Sequence, residues 1–280
     1  MEKNMPFKTI LAVLGVPQTD RDLQTAADIS IQVRAHLSVL IVGFAPQPTS
    51  RYATLASAWF EQRDWDLKAL GETAKTVRDK LSKREISFEV DSIYAEAAGA
   101  TYDIGERALY SDLILMGPNA FENADLKHQI ITGGLIQSER PVLLIPPGPI
   151  PTLQPKTVLL AWDSRAQSAH AAREALQLLS NAKSVHVVMV DPTATPRQSG
   201  DEPGADVAPY LARHGIDVTV DALPSAGRSV AQVLQRNAND VAADMIVMGA
   251  YGHSPLRELV CGGVTRSMLD EARLPVLMAR

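Results

Sequence analysis

The sequence predicts an α/β fold: two tandem doubly wound domains, each a five-stranded parallel sheet covered by helices on both faces. Three observations lead there. The first is an internal repeat, in which Lys8-Thr9-Ile10-Leu11-Ala12-Val13 returns as Lys156-Thr157-Val158-Leu159-Leu160-Ala161. Ser111-Asp112-Leu113-Ile114-Leu115-Met116-Gly117 returns as Ala243-Asp244-Met245-Ile246-Val247-Met248-Gly249, and Pro141-Val142-Leu143-Leu144 as Pro275-Val276-Leu277-Met278. Three segments recurring in the same order indicate a duplicated unit. The second is that the strand-like runs are continuously apolar, as in parallel strands buried on both faces. The third is that these runs alternate with helical patterns, the arrangement that right-handed crossovers turn into a layered α/β sandwich.

In chain order, the first half reads as strands near Thr9–Leu14, Ser38–Phe44, Ser87–Ile93, Leu113–Met116 and Val142–Ile145. A long helix from about Ala58 to Lys83 carries Trp59, Phe60, Leu67, Leu70, Val77 and Leu81. Trp59 and Trp65 on it read as packing or interface residues. The stretch Pro146-Pro147-Gly148-Pro149-Ile150-Pro151 forbids helix and removes ladder donors, so the boundary falls near residue 150, between domains 1–148 and 156–280. The second half has strands about Thr157–Asp163, Ser184–Val190, Asp217–Ala222, Asp244–Met248 and Pro275–Ala279. Its helical patterns include Ala169–Leu179, with an Ala172, Ala175, Leu176, Leu179 stripe, and Gly227–Ala243, with Val230, Val233, Leu234 and Val241.

Composition narrows the function. Of 280 residues, 46 % are hydrophobic and 21 % charged, enough to fold a core and against disorder throughout. Lys plus Arg is 27 against 32 Asp plus Glu, a net charge of -5, which argues against general nucleic-acid binding. A lone cysteine, Cys261, excludes an internal disulfide and a cysteine zinc cage, and a reducing cytoplasm is the expected setting. No apolar run approaches the ~18 residues of a membrane helix. The charged start, with Glu2, Lys3 and Lys8, reads against a signal peptide.

Doubly wound sheets bind ligands at the carboxyl ends of their strands. There the second half carries Met248-Gly249-Ala250-Tyr251-Gly252-His253 and, nine residues after Gly252, Gly262-Gly263 followed by Val264 and Thr265. Glycines admit an anion close to the backbone, and the free amides of a helix start point towards it. This motif, its nine-residue gap and the closing Leu274-Pro275-Val276-Leu277 resemble the universal stress protein family. ATP-binding members of that family carry Gly, two residues, Gly, nine residues, then Gly followed by Ser or Thr. Trp162-Asp163-Ser164 matches the family's aspartate after its first strand, and Gly227 a glycine before its fourth. The resemblance covers residues 157–280 and, more loosely, 7–146.

The resemblance implies the adenine-nucleotide α-hydrolase-like fold with strand order 3-2-1-4-5, and an adenine nucleotide (ATP, ADP or AMP) as ligand, with Mg²⁺ left open as its companion. Asp163 would hold the ribose, backbone groups near Met189 and Val190 the adenine edge, and Gly249, Gly252, Gly262 and Gly263 the phosphates. Gly263 stands where the family has Ser or Thr, so Thr265 is the candidate replacement hydroxyl. His253 is a further phosphate candidate, with an exposed loop histidine as the plainer reading. Arg257 and Arg266 are phosphate neutralisers or water-facing helix residues, and Asp163 alternatively caps the next helix. Cys261 reads as small apolar packing, and Asp191–Asp206 as a loop with a lid role left open.

The first half departs from this pattern. It has Leu14-Gly15 where the aspartate is expected, and Pro118-Asn119-Ala120 in place of the second glycine. Counting back from the last strand puts Gly133-Gly134 inside or beyond the terminal helix and His128 in the loop position. The expectation is a degenerate first domain and one nucleotide per chain, bound in the second half. The function expected is nucleotide binding in a stress response without substantial catalysis and with no metal site in the protein. A weak ATP hydrolase or autophosphorylating enzyme, and a protein-interaction module, are the alternatives. An internal pseudo-dimer packed by the last strands of the halves is expected, with a homodimer of whole chains left open.

Overall fold

A computed structural model describes residues 7–17, 19–45, 56–192, 204, 206–251 and 263–280. It divides into two compact units, Phe7–Arg140 and Pro141–Arg280.

In the N-terminal unit four parallel strands lie in the order β3-β2-β1-β4: β1 Thr9–Gly15, β2 His36–Phe44, β3 Phe88–Ala95 and β4 Leu113–Met116. Ile10 to Leu14 of β1 are at most 1 % exposed, so its continuous apolar run is covered on both faces. The crossovers are α1 Asp20–Val33, α2 Ala56–Leu81 and α3 Ala97–Ala108. After β4 come α4 Pro118–Glu122 and α5 Ala124–Ile130, which runs on into π-helical turns over Ile131–Gln137. Asn123 caps α5, its side-chain oxygen accepting the Leu126 amide proton at 3.0 Å. His128 therefore lies inside a helix, where the sequence places it in a loop. Gly133 lies in the π-helical segment and serves packing: a Cβ there would strike the Thr101 carbonyl and come within 3.0 Å of the Gly105 nitrogen, both on α3.

The C-terminal unit carries a sheet in the order β5-β10-β9-β6-β7-β8. Its strands are β5 Val142–Leu144, β6 Thr157–Ala161, β7 Ser184–Val190, β8 Val218–Leu223, β9 Met245–Gly249 and β10 Val276–Ala279. From β6 to β10 they are parallel in the relative order 3-2-1-4-5, as the family resemblance implies. β5, the last strand of the first sequence repeat, packs with this unit and runs antiparallel to β10, Leu143 opposite Leu277. The sequence sets the boundary near residue 150; by packing, the division falls at Arg140–Pro141, because this three-residue strand finds backbone partners on β10.

The helices here are α6 Ala166–Glu174, α7 Leu176–Asn181, α8 Val207–Arg213, α9 Val230–Asp240 and α10 Val264–Glu271. α6 and α7 replace the single helix expected over 169–179. The chain turns at Ala175 (φ -88°, ψ 0°), where neither glycine nor proline marks a break. α9 opens on a capping box between Ser229 and Gln232. Along α2 the expected stripe is only partly buried: Leu70, Val77 and Leu81 are at most 5 % exposed, whereas Phe60 and Leu67 are exposed, and so is Trp65 outside the stripe.

The repeat itself has a structural cause. Asp112 Oδ2 accepts the amide protons of Lys8 and Thr9 at 2.7 and 2.9 Å, pinning the start of β1 to β4. Asp244 Oδ2 does the same for Lys156 and Thr157 at 2.6 and 3.0 Å. The recurring Lys-Thr and Asp thus belong to sheet construction: each carboxylate satisfies two backbone donors at a strand end.

Candidate functional site

At the carboxyl ends of β6, β7 and β9 the C-terminal unit holds a cavity of about 380 Å³, within the range of small-ligand sites. Five residues singled out from the sequence line it together: Asp163, Val190, Gly249, Gly263 and Thr265. They come from three strand ends and the start of α10, separated by up to about a hundred positions in the chain and joined by the 3-2-1-4-5 order.

Each strand end contributes for a local reason. Asp163 follows β6, and its Oδ1 accepts the Arg165 amide proton at 3.1 Å, an Asx turn reaching two residues on. Arg165, not Asp163, is the N-cap residue of α6, so the capping alternative for Asp163 does not hold. The Asp163 side chain remains 57 % exposed, with the Arg165 guanidinium 3.8 Å away, so it faces the cavity solvated and beside a positive charge. On β7, Val188 and Val190 line the cavity. Met189 between them is 2 % exposed and absent from the lining, since successive side chains of a strand point to opposite faces.

Gly249 ends β9 with no room for a side chain: a Cβ would lie 2.5 Å from the Gln167 carbonyl carbon and 2.6 Å from the Ser168 nitrogen. The glycine is required by the backbone of α6 passing over the strand end. Two residues on, Tyr251 sits at φ 56° and donates its amide proton to Thr265 Oγ1 at 3.3 Å. Thr265 is 6 % exposed on the first turn of α10, whose N-cap is Gly263. The loop from β9 is thereby tied to the helix that closes the cavity.

Gly252, His253 and Gly262 lie outside the described residues, as do Arg257, Cys261 and most of the 191–206 loop. Arg266 is not among the lining residues; it stands 3.9 Å from Asp270, one turn along α10, with 67 % of its side chain exposed, which favours the water-facing reading. Trp162, Arg165 and Tyr251 also line the cavity; none is a candidate from the sequence, although each lies within two positions of one. Among the described residues no group of three His, Cys, Asp or Glu converges as a metal site, and no helix is long and apolar enough to cross a membrane.

The corresponding turn of the N-terminal unit is built differently. Asp22 on α1, 1 % exposed, accepts the amide protons of Asn119 and Ala120 at 2.7 and 2.9 Å. It packs so tightly under Gly117 that a Cβ there would lie 2.5 Å from its carboxyl carbon. Burial pushes its pKa up to about 6, against the pull of those two amides. A carboxylate of the chain itself thus takes up the donors after β4. The sequence held a signal: Asp22 lies on the face of α1 shared with Ala26, Ile29 and Val33, and a carboxylate on an apolar face must find partners.

The universal stress protein family profile matches residues 155–280. A universal stress protein of Synechocystis sp. is 30 % identical over 128 residues, which are 44 % of this chain and 42 % of that protein; the chain thus spans less than half the length of that curated relative. Two solved structures share the fold along nearly the full length. A universal stress protein from Archaeoglobus fulgidus aligns with a TM-score of 0.66 at 15 % identity, covering 99 % of this chain and 97 % of that one. A protein from Pseudomonas aeruginosa, described as a putative universal stress protein, aligns at 0.57 and 16 % identity, over 98 % and 93 %. The profile match thus identifies a universal stress protein domain in the unit that holds the cavity, and the solved structures share the fold of nearly the whole chain.

Proposed function

We propose that this protein binds one adenine nucleotide per chain in its C-terminal unit and serves a stress response by holding that ligand without substantial turnover. The observation that carries the reading is the meeting of Asp163, Val190, Gly249, Gly263 and Thr265 around one cavity of about 380 Å³. In this reading Asp163 accepts protons from the ribose hydroxyls, and the backbone at the end of β7 faces the adenine edge. The phosphates lie by the β9–α10 loop, where helix-start amides favour an anion. Thr265 supplies the hydroxyl that Gly263 lacks. Accepting the Tyr251 amide uses a lone pair of its oxygen and leaves the hydroxyl proton for a phosphate. Arg165 adds a positive charge at the rim.

Mass spectrometry of small molecules released from the purified protein identifies the ligand, and isothermal titration with ATP, ADP and AMP gives the stoichiometry. The expected value is one. Two nucleotides per chain, or no saturable binding of any of the three, would sink the proposal. ADP accumulating steadily when ATP and Mg²⁺ are supplied would replace the holding role with hydrolysis.

A further inference from the structure

A cleft of about 590 Å³ in the N-terminal unit opens between α2 and the carboxyl ends of β1, β2 and β3. It exceeds the C-terminal cavity in volume and lies within the range of small-molecule sites. Its chemistry is the opposite of a phosphate site. Asp20, Asp66 and Glu72 line it, against Lys80 as the basic side chain of the wall, and Lys80 Nζ is held 2.6 Å from Asp20 Oδ1.

Three hydroxyl groups of the wall have their protons engaged. Thr73 donates to the Ala69 carbonyl at 2.8 Å, Thr76 to the Glu72 carbonyl at 2.9 Å, and Tyr94 to Asp66 Oδ2 at 2.8 Å. What these oxygens can still offer is lone pairs. Close by, the donors after β4 are occupied by Asp22. Phe44, Trp65 and Leu70 supply apolar wall. An acceptor-rich, net-negative cleft with aromatic surface disfavours anions and suits a cation that carries its own N–H donors on an apolar body.

We propose that this cleft binds a small organic ammonium ion, its N–H groups on the carboxylate and hydroxyl oxygens and its body against Trp65 and Phe44. The site is separate from the nucleotide cavity and does not depend on that cavity being filled.

Three probes of one shape and different charge test it: phenethylamine, phenethyl alcohol and phenylacetate, each titrated calorimetrically into the full chain, without and with ATP. The amine is expected to saturate one site, to bind about tenfold tighter than the alcohol, and to do so equally with ATP present. Phenylacetate is expected not to bind. In a chain carrying Asp66→Asn and Glu72→Gln the amine should fall to the affinity of the alcohol, while Trp65→Ala should weaken both. Matching urea midpoints establish that these variants fold. Absence of saturation with the amine, equal binding of amine and phenylacetate, or a preference for the amine that survives the double substitution would each overturn the proposal.

Discussion

The turn after β4 and the turn after β9 begin from nearly the same strand, Leu113-Ile114-Leu115-Met116-Gly117 and Met245-Ile246-Val247-Met248-Gly249, and end in opposite chemistry. Both glycines lie against the helix that follows the corresponding strand of the repeat, α1 after β1 and α6 after β6. Above Gly249 it is the backbone of α6, at Gln167 and Ser168, that comes close, and Ser168 turns its hydroxyl back to the Arg165 carbonyl at 2.8 Å. Above Gly117 it is the Asp22 side chain, which reaches past the glycine to the amides of Asn119 and Ala120. Ser168 thus bonds within its own helix, and the Ala250 and Tyr251 amides go instead to the Ala279 carbonyl at 2.8 Å and to Thr265 Oγ1 at 3.3 Å. The longer, charged Asp22 takes up the amides after Gly117 from the neighbouring helix. In a duplicated fold the same strand can therefore be followed by amides with quite different partners.

The comparison can be broken most severely at Gly249. Gly249→Val forces a branched side chain into the α6 backbone, which has no rotamer to change, and is expected to cost about 3 kcal/mol or more. Urea denaturation checks it. Gly117→Ala meets a side chain instead, so a second substitution, Asp22→Ala, should lower its cost. A double-mutant cycle with no coupling would contradict the packing described.

Next in size is the pH dependence of Asp22. Its folded pKa of about 6 lies above the ordinary 3.8, so between those values the folded protein binds the extra proton. Its contribution is fully present below pH 3.8 and is lost as pH rises through about 6, with a span of about 3 kcal/mol. Asp22→Asn should remove this component, read as the difference in unfolding free energy between the two proteins from pH 4 to pH 7. A constant difference across that range would show that burial does not raise this carboxyl.

In the other unit, Asp163→Ala should weaken nucleotide binding by about 1.5–3 kcal/mol, the worth of hydrogen bonds to a charged group. Its effect on stability should be small, because the exposed carboxylate gives up only the Asx turn to Arg165. Titration calorimetry beside thermal unfolding separates the two effects. The smallest change expected is Thr265→Val. It removes the hydrogen bond from the Tyr251 amide to Thr265 Oγ1, costing about 1 kcal/mol of stability, and with it the hydroxyl proposed for phosphate. Unchanged ATP affinity in this variant would take Thr265 out of the ligand's reach.

Strand identity was legible because it is a local property. Continuous apolar runs such as Ile10 to Leu14 and Val158 to Leu160 are fully covered in the structure, and Leu113–Met116 and Ser184–Val190 were placed to the residue. The repeat pointed to the duplication, and motif spacing pointed to the strand ends where Asp163, Gly249, Gly263 and Thr265 meet. The sequence names Met189 and Val190 for their backbone groups; their side chains are separated by the pleat, which only the strand's placement reveals.

By itself, then, the sequence determined the α/β class, the alternation of elements and the end of the sheet that carries the cavity, since each follows from periodicity or from residues a few positions apart. Tertiary structure alone decided that β5 completes the sheet beside β10, that α6 breaks at Ala175, and that Asp22 reaches amides 97 and 98 positions away. In each of these the partner is distant in the chain or leaves no local signature. A buried carboxylate and an exposed one are the same letter until packing settles which donors lie within reach.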